Sequence, residues 1–165
     1  QSTMKSPLLH ELCEPFRGLL GTWKGRGEGH YPSIESFGYV EESTFSHVGK
    51  PFISYVQKTR DSVTDAPLHS ESGYIRPQEE YLAELVLAQP SGIVEMHKGS
   101  IESSKNACVI YFESIDVRVT PSAKEVTQVS RLIKIEGDTL SYDVSMAAVG
   151  EPFQHHLKAL LKRQA

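Results

Sequence analysis

The chain has few of the features that mark disulfide-bonded, membrane-spanning or nucleic-acid-binding proteins. Its two cysteines, Cys13 and Cys108, lie far apart and match no metal-ligand spacing, and two lone thiols fit a reducing compartment. No apolar run approaches the ~20 residues that span a bilayer, and Gln1–His10 lacks the charged-then-apolar pattern of a signal peptide. The formal net charge is −4, and basic residues cluster only near the end of the chain. We therefore expect a cytoplasmic protein that binds neither membranes nor nucleic acid.

The pattern of apolar residues changes near Gly21. Between Pro7 and Leu20 the spacing is nearly helical, which predicts a short helix or helical turn. After Gly21, short alternating stretches are separated by turn residues about every ten positions, and Glu136–Thr139 is a strong hairpin turn. The clearest predicted strands are Phe37–Phe45, Phe52–Thr59, Leu68–Arg76, Tyr81–Gln89, Ile93–His97, Cys108–Ser114, Glu125–Ile135 and Leu140–Met146.

Short strands with short connections predict an antiparallel meander within one domain, residues 1–165. About ten strands with almost no helix leave two exposed edges, which closure into a barrel removes. Such a barrel is too wide for its own side chains to fill, so we expect an internal cavity. The last segment is ambiguous, because Leu157, Leu160 and Leu161 have helical spacing whereas His156–Leu160 also alternates. Since barrel closure needs a final strand beside the first, we predict a strand.

Glycines alternate with larger residues in Gly21–Gly27, around the only tryptophan of the chain, Trp23. The segment lacks both the ending of a phosphate-binding loop and the helix that should follow, and it does not match a dinucleotide-binding fingerprint. We interpret it as structural: Trp23 plugs one end of the barrel, and the glycines let the first strand bend sharply.

Among the seven histidines, the adjacent pair His155 and His156 is the most informative. Neighbouring residues on a strand face opposite sides, so only one of the two can enter a cavity, and the pair makes a poor zinc site. A single imidazole facing an apolar cavity suits a haem ligand, although a structural histidine is the commoner reading. Solvated or capping roles are expected for His10, His30, His47 and His97.

Other reactive residues give little support to nucleophilic or acid–base catalysis. No Gly-x-Ser-x-Gly segment is present. Cys108 lies in an apolar strand and is expected to pack in the wall. The pairs Glu41–Glu42 and Glu79–Glu80 are interpreted as solvated charges. Met146 is either core filler or a soft lining to a ligand pocket.

Six segments occur in an order that resembles the nitrobindin family, whose members are also described as peroxynitrite isomerases. They extend from about Gly21 to the end of the chain, and the ordered set is more specific than any one of them. The segments are Gly21–Gly27, Tyr31–Ser33, Phe45–Pro51, Pro67–Tyr74, Ser145–Ala147 and His156–Leu161.

This resemblance implies an all-β fold, a ten-stranded antiparallel barrel related to fatty-acid-binding proteins, with one ferric haem b per chain in an open pocket. The family's axial histidine maps to His156, and its distal side maps to Leu68, His69 and Met146. We expect His69 to line the pocket without binding iron. Ser33 falls where relatives place a serine or threonine close to the haem. The resemblance implies no catalytic residue apart from the haem iron.

The function implied by the resemblance is binding of nitric oxide and isomerisation of peroxynitrite to nitrate, from a mainly ferric resting state with poor oxygen carriage. An alternative of another class is a carrier of fatty acid or another small hydrophobic ligand, with Arg118 or Arg131 anchoring the carboxylate. A third is a ligand-sensing module within a larger polypeptide. The sequence leaves the oligomeric state open.

Overall fold

A computed structural model of the chain describes residues 6–165. The sequence analysis found no signal-peptide pattern in Gln1–His10, and the first five of those residues lie outside the described part of the chain. The first element is a 3₁₀ helix at Glu11–Leu19, which confirms the predicted helical turn. The side chain of His10 accepts a hydrogen bond from Leu12 N over 3.1 Å and so caps the helix, as expected. The helix buries Cys13 and Phe16 against the barrel.

Ten strands close into one antiparallel barrel, in which each strand pairs with its neighbours in sequence and the last pairs with the first. The predicted fold class and the final strand are therefore confirmed. A second short 3₁₀ turn lies at Glu79–Tyr81. The strands are β1 (Gly21–Tyr31), β2 (Ile34–Ser46), β3 (Ile53–Asp61), β4 (Pro67–Pro77), β5 (Leu82–Gln89), β6 (Ile93–Ser103), β7 (Ala107–Val119), β8 (Val126–Glu136), β9 (Thr139–Ala148) and β10 (Gln154–Arg163).

The glycines of β1 lie where the barrel closes. Gly25 pairs with Leu161 of β10, and a Cβ atom on Gly25 would overlap the carbonyl oxygen of Leu160. A Cβ on Gly27 would overlap the ring of Tyr39, which fills the space above it. The glycines thus allow close approach of a neighbouring strand and of an aromatic ring. This explains why glycine is needed at these positions, in addition to the bend that the sequence predicted.

Trp23 plugs one end of the barrel, as predicted. Its side chain is fully buried, and Nε1 donates a hydrogen bond to Leu19 O over 2.9 Å. The guanidinium of Arg163 lies 4.3 Å from the centroid of the indole ring, and its Nη2 donates to Gly18 O over 2.6 Å. These contacts tie the 3₁₀ helix, β1 and β10 together beneath the cavity.

Gly25→Ala should destabilise the barrel by about 1–3 kcal/mol, because the added methyl group forces β1 away from β10. The free energy of unfolding in urea measures this. Gly18→Ala is the matched control, since a Cβ there meets no atom within 4 Å. Equal stability of the two variants would show that β1 and β10 separate freely at Gly25.

Candidate functional site

The barrel encloses a cavity of about 610 Å³, within the usual range for small-molecule sites, which confirms the predicted internal cavity. It opens between the loops at the end of the barrel opposite Trp23. All five residues that sequence analysis placed at the site line this cavity, namely Ser33, Leu68, His69, Met146 and His156. The structure therefore brings together residues that are up to 123 positions apart in the chain (Ser33 to His156).

His156 faces the cavity because of a β-bulge. In the pairing of β10 with β9, His155 is opposite Ser145 and Leu157 is opposite the next residue, Val144, so His156 is the extra residue. Both His156 and Leu157 line the cavity, which simple alternation does not allow. His155 lies on the outer face, where Nε2 is 2.9 Å from Asp143 Oδ1. The prediction that one of the two histidines enters the cavity is confirmed. The reason is a bulge that turns His156 inward, rather than the simple alternation of a regular strand.

The ring of His156 is held at one nitrogen and by one aromatic neighbour. Nδ1 lies 3.0 Å from the carbonyl oxygen of His30 and donates to it, while Nε2 has no hydrogen-bond partner among the described residues. The edge of the ring packs on Tyr31, with 5.3 Å between centroids. Tyr31 is itself fixed, because its hydroxyl accepts a hydrogen bond from Ala148 N over 2.8 Å.

The protonation state of His156 suits a metal ligand. Burial lowers the pKa of the imidazole below its ordinary value, the hydrogen bond to His30 O partly opposes this, and nearby histidines including His69 lower it further. The ring is therefore neutral near pH 7 and keeps a lone pair on Nε2. A histidine that binds iron commonly donates its other N–H to a carbonyl oxygen in this way.

The mouth of the cavity is rimmed by apolar side chains that are only half covered. Ile34, Leu68 and Val149 line it and remain 41–46% exposed, and Ser33 lies in the adjoining turn between β1 and β2. A flat apolar macrocycle seated on Nε2 of His156 would cover this rim. The donor, its tether and the apolar mouth thus fit a haem group.

His69 lies on the cavity wall and is paired with a buried carboxylate. Its Nε2 is 3.0 Å from Glu71 Oε1. Glu71 is buried, and its Oε2 accepts hydrogen bonds from Arg131 Nη1 over 2.6 Å and from Tyr55 Oη over 2.8 Å. Burial alone would raise the pKa of Glu71, but Arg131 and His69 outweigh it and hold the pKa well below its ordinary value.

Arg131 bridges two carboxylates across the interior of the barrel. From β8 it contacts Glu71 of β4 and Glu95 of β6, with Nη2 3.0 Å from Glu95 Oε2. Arg131 also holds the pKa of Glu95 below its ordinary value against the effect of burial. The two ionised carboxylates therefore share one guanidinium, and each also contacts a histidine, His69 or His97.

The expectation of a solvated or capping role for His97 is wrong. His97 is buried on the inner side of β6, and its Nε2 lies 2.7 Å from Glu95 Oε1. It follows the inward positions Ile93 and Glu95, so the strand's alternation puts it inside. The expected roles of the others hold: His10 caps the helix, His47 accepts a hydrogen bond from Gly49 N, and His30 is exposed.

The interpretation of Glu41 as a solvated charge is also wrong, whereas Glu42 and the pair Glu79–Glu80 are exposed as expected. Glu41 lines the cavity, and burial raises its pKa above the ordinary value. Its carboxyl group accepts hydrogen bonds from Ser43 Oγ over 2.6 Å and from Tyr142 Oη. The alternation of β2 predicts that Glu41 faces inward. The adjacent Glu42 favoured the wrong interpretation, since two consecutive glutamates are typical of a solvent-exposed surface.

Both cysteines are free and buried, which confirms that Cys108 packs in the wall. Burial raises the pKa of the Cys108 thiol to about 11. Among residues 6–165 no group of three or more histidine, cysteine, aspartate or glutamate side chains is placed to hold a metal ion. Within the same residues, no helix has the length and apolar character needed to cross a membrane.

Comparison with known proteins agrees with this geometry. Residues 12–163 match the family described as "THAP4-like, heme-binding beta-barrel domain". The chain is 51% identical over 156 residues to "Peroxynitrite isomerase 1" of Mycolicibacterium paratuberculosis, covering 94% of this chain and 97% of that protein. It is 44% identical over 158 residues to "Peroxynitrite isomerase" of Nocardia farcinica, covering 96% of this chain and 94% of that protein.

A solved structure has the same fold. The crystal structure of Rv2717c from M. tuberculosis superposes with a TM-score of 0.93 at 44% sequence identity, covering 96% of this chain and all of that chain. The sequence motifs, the closed ten-stranded barrel and the family match coincide over almost the whole length. This chain therefore belongs to the nitrobindin family of THAP4-like, haem-binding β-barrel domains.

Proposed function

We propose that the chain binds one ferric haem b at the mouth of the barrel, with Nε2 of His156 as the protein ligand to iron. The loaded protein isomerises peroxynitrite to nitrate and binds nitric oxide. The observation that carries the proposal is the neutral imidazole of His156, tethered through Nδ1 and presenting a free Nε2 at an apolar cavity mouth. The names of relatives that are 44–51% identical to this chain support the reaction.

The chain's own residues prepare the site in three ways. The hydrogen bond from His156 Nδ1 to His30 O fixes the tautomer and raises the basicity of Nε2. The ring of Tyr31 fixes the direction in which that nitrogen points. The apolar side chains of Ile34 and Leu68 at the cavity mouth would contact a bound macrocycle. Bound ferric haem supplies a Lewis-acid and one-electron centre for the peroxynitrite O–O bond.

The scarcity of hydrogen-bond donors at the cavity mouth supports a ferric resting state with poor oxygen carriage. Leu68 and Met146 offer no N–H or O–H donor to stabilise bound dioxygen, and the Nε2–H of His69 is taken by Glu71. Nitric oxide depends less on such donors, so the same pocket suits it better.

The alternative of a fatty-acid carrier is disfavoured by the two arginines that suggested it. Arg118 is exposed on β7 and contacts Asp116, outside the cavity. Arg131 does line the cavity, but its guanidinium is already engaged by Glu71 and Glu95. A fatty-acid carboxylate beside Arg131 would meet the two ionised carboxylates that already bind this guanidinium.

Hemin-loaded protein should accelerate the decay of peroxynitrite and yield nitrate, whereas the haem-free protein should not. Stopped-flow absorbance measures the decay, and ion chromatography measures the ratio of nitrate to nitrite. Free hemin at the same concentration is the control for iron that is not bound by the barrel. Equal decay rates with loaded and haem-free protein would reject the proposed reaction.

A cytoplasmic location and a single domain over residues 1–165 are part of the same proposal. The family match over residues 12–163 and the continuous barrel support one domain. Two free, buried cysteines are compatible with a reducing compartment.

A further inference from the structure

The backbone of His69 is fixed at the point where β3 and β4 change register. Thr59 pairs with His69 and the next residue, Arg60, pairs with Pro67, so Leu68 is the extra residue on β4. His69 N donates to Thr59 Oγ1 over 3.1 Å, and Thr59 Oγ1 donates to His69 O over 3.3 Å in turn. Both backbone polar groups of His69 are therefore hydrogen-bonded to Thr59, which fixes the point at which the imidazole is attached to β4.

The far side of the ring is held by an immobile carboxylate. Nε2 of His69 lies 3.0 Å from Glu71 Oε1, and Glu71 is clamped by Arg131 and Tyr55. The ionised carboxylate of Glu71 only accepts hydrogen bonds, so this contact requires a proton on Nε2. Glu71 thus selects the Nε2–H tautomer of the neutral ring.

In that tautomer Nδ1 carries a lone pair. No described residue donates a hydrogen bond to it, the ring lines the cavity, and 35% of the side chain is exposed. If Nδ1 takes up a proton, the resulting imidazolium remains hydrogen-bonded to Glu71, which stabilises it. A lone pair backed by a buried carboxylate is the arrangement of a general base.

We propose that His69 is the proton acceptor for weak-acid ligands that enter the barrel protonated and bind as anions, peroxynitrous acid among them. This role rests on the proposed function, because the anions in question would bind an iron held by His156. In the step, a ligand HX transfers its proton to Nδ1, the H–X bond breaks, and its electron pair stays on X⁻. His69 becomes an imidazolium paired with Glu71, no electrons are exchanged with another reactant, and solvent later removes the proton.

The tautomer can be measured without haem. In ¹⁵N NMR spectra of the haem-free protein, recorded at a pH where the ring is neutral, His69 should show a protonated Nε2 and an unprotonated Nδ1. The signals are assigned by their loss in His69→Leu. A proton on Nδ1 in place of Nε2 would overturn the proposal.

The proton transfer can be measured with two simple anions. Cyanide is mainly hydrogen cyanide at neutral pH and must lose a proton to bind ferric haem, whereas thiocyanate is already ionised. In hemin-loaded protein, His69→Leu should slow cyanide association at least about tenfold and leave thiocyanate association unchanged. His155→Leu is the matched control, since His155 makes a similar bond to Asp143 on the outer face and should leave both rates unchanged.

The outcomes separate this role from the function on which it rests. Slowing of both anions to the same extent would mean that His69 only shapes access, and slowing of neither would mean that it has no role; both results overturn the proposal. Wild-type protein that takes up no hemin would overturn the proposed function, and this role with it. If hemin-loaded wild type and His69→Leu have the same ratio of cyanide to thiocyanate association rates, this role alone is overturned.

Discussion

His156→Ala should lose tight haem binding, because it removes the imidazole whose free Nε2 is held in place at the mouth of the barrel. Loss of a partner that merely orients a metal ligand costs about 10–100-fold in affinity, so loss of the ligand itself should cost more. Titration of the haem-free variant with hemin, followed at the Soret band, measures the change. The same variant should no longer accelerate peroxynitrite decay.

Two controls make this result specific. His155→Ala removes the adjacent histidine, which faces outward and contacts Asp143, and it should bind hemin like the wild type. Free imidazole should partly restore the Soret band of His156→Ala, since the deleted side chain leaves space at the cavity wall. A His156→Ala protein with unchanged hemin affinity would contradict the assignment.

Arg131→Met should destabilise the folded protein by about 3–5 kcal/mol, because it leaves Glu71 and Glu95 buried without their shared cation. The free energy of unfolding in urea measures the effect. Arg118→Met is the matched control: its contact with Asp116 is exposed and contributes less than about 1 kcal/mol. Similar losses in the two variants would contradict the structural role assigned to the buried cluster.

The loss in Arg131→Met should also depend on pH. In the wild type Arg131 holds the pKa of both carboxyl groups below the ordinary value of 4.5, so their contribution is complete between pH 8 and pH 5 and declines only at lower pH. Without Arg131, burial raises those pKa values, the folded state binds more protons than the unfolded state, and stability rises as pH falls. The difference in unfolding free energy between wild type and variant should therefore narrow from pH 8 to pH 5, and a constant difference would contradict this.

The strand rhythm of the sequence was sufficient to predict the barrel and its cavity, because closure is the way to bury two long edges of a meander. The final strand was predicted on that argument against the helical spacing of Leu157, Leu160 and Leu161. What the rhythm could not show was the bulge at His156, which depends on pairing with β9. The choice of His156 over His155 came from the resemblance to a family.

The polar interior was the main feature that sequence reasoning missed. Glu71 and Glu95 occupy inward positions on their strands, but an isolated charged residue in an alternating strand is normally interpreted as facing solvent. Arg131 was considered as an internal anchor for a ligand carboxylate, whereas the structure pairs it with these two glutamates. Only the closed barrel shows that Arg131 lies across the interior from both carboxylates. Glu41 and His97 were misassigned for the same reason, since each stands beside an exposed charged or polar residue.

Iron located by anomalous X-ray diffraction in crystals of the hemin-loaded protein would test the haem site most directly. The iron peak should lie within bonding distance of Nε2 of His156, with Nδ1 still donating to His30 O and the macrocycle against Leu68 and Met146. An iron peak bonded to His69 or His155, or one on the outer surface of the barrel, would contradict the assignment of His156 as the ligand.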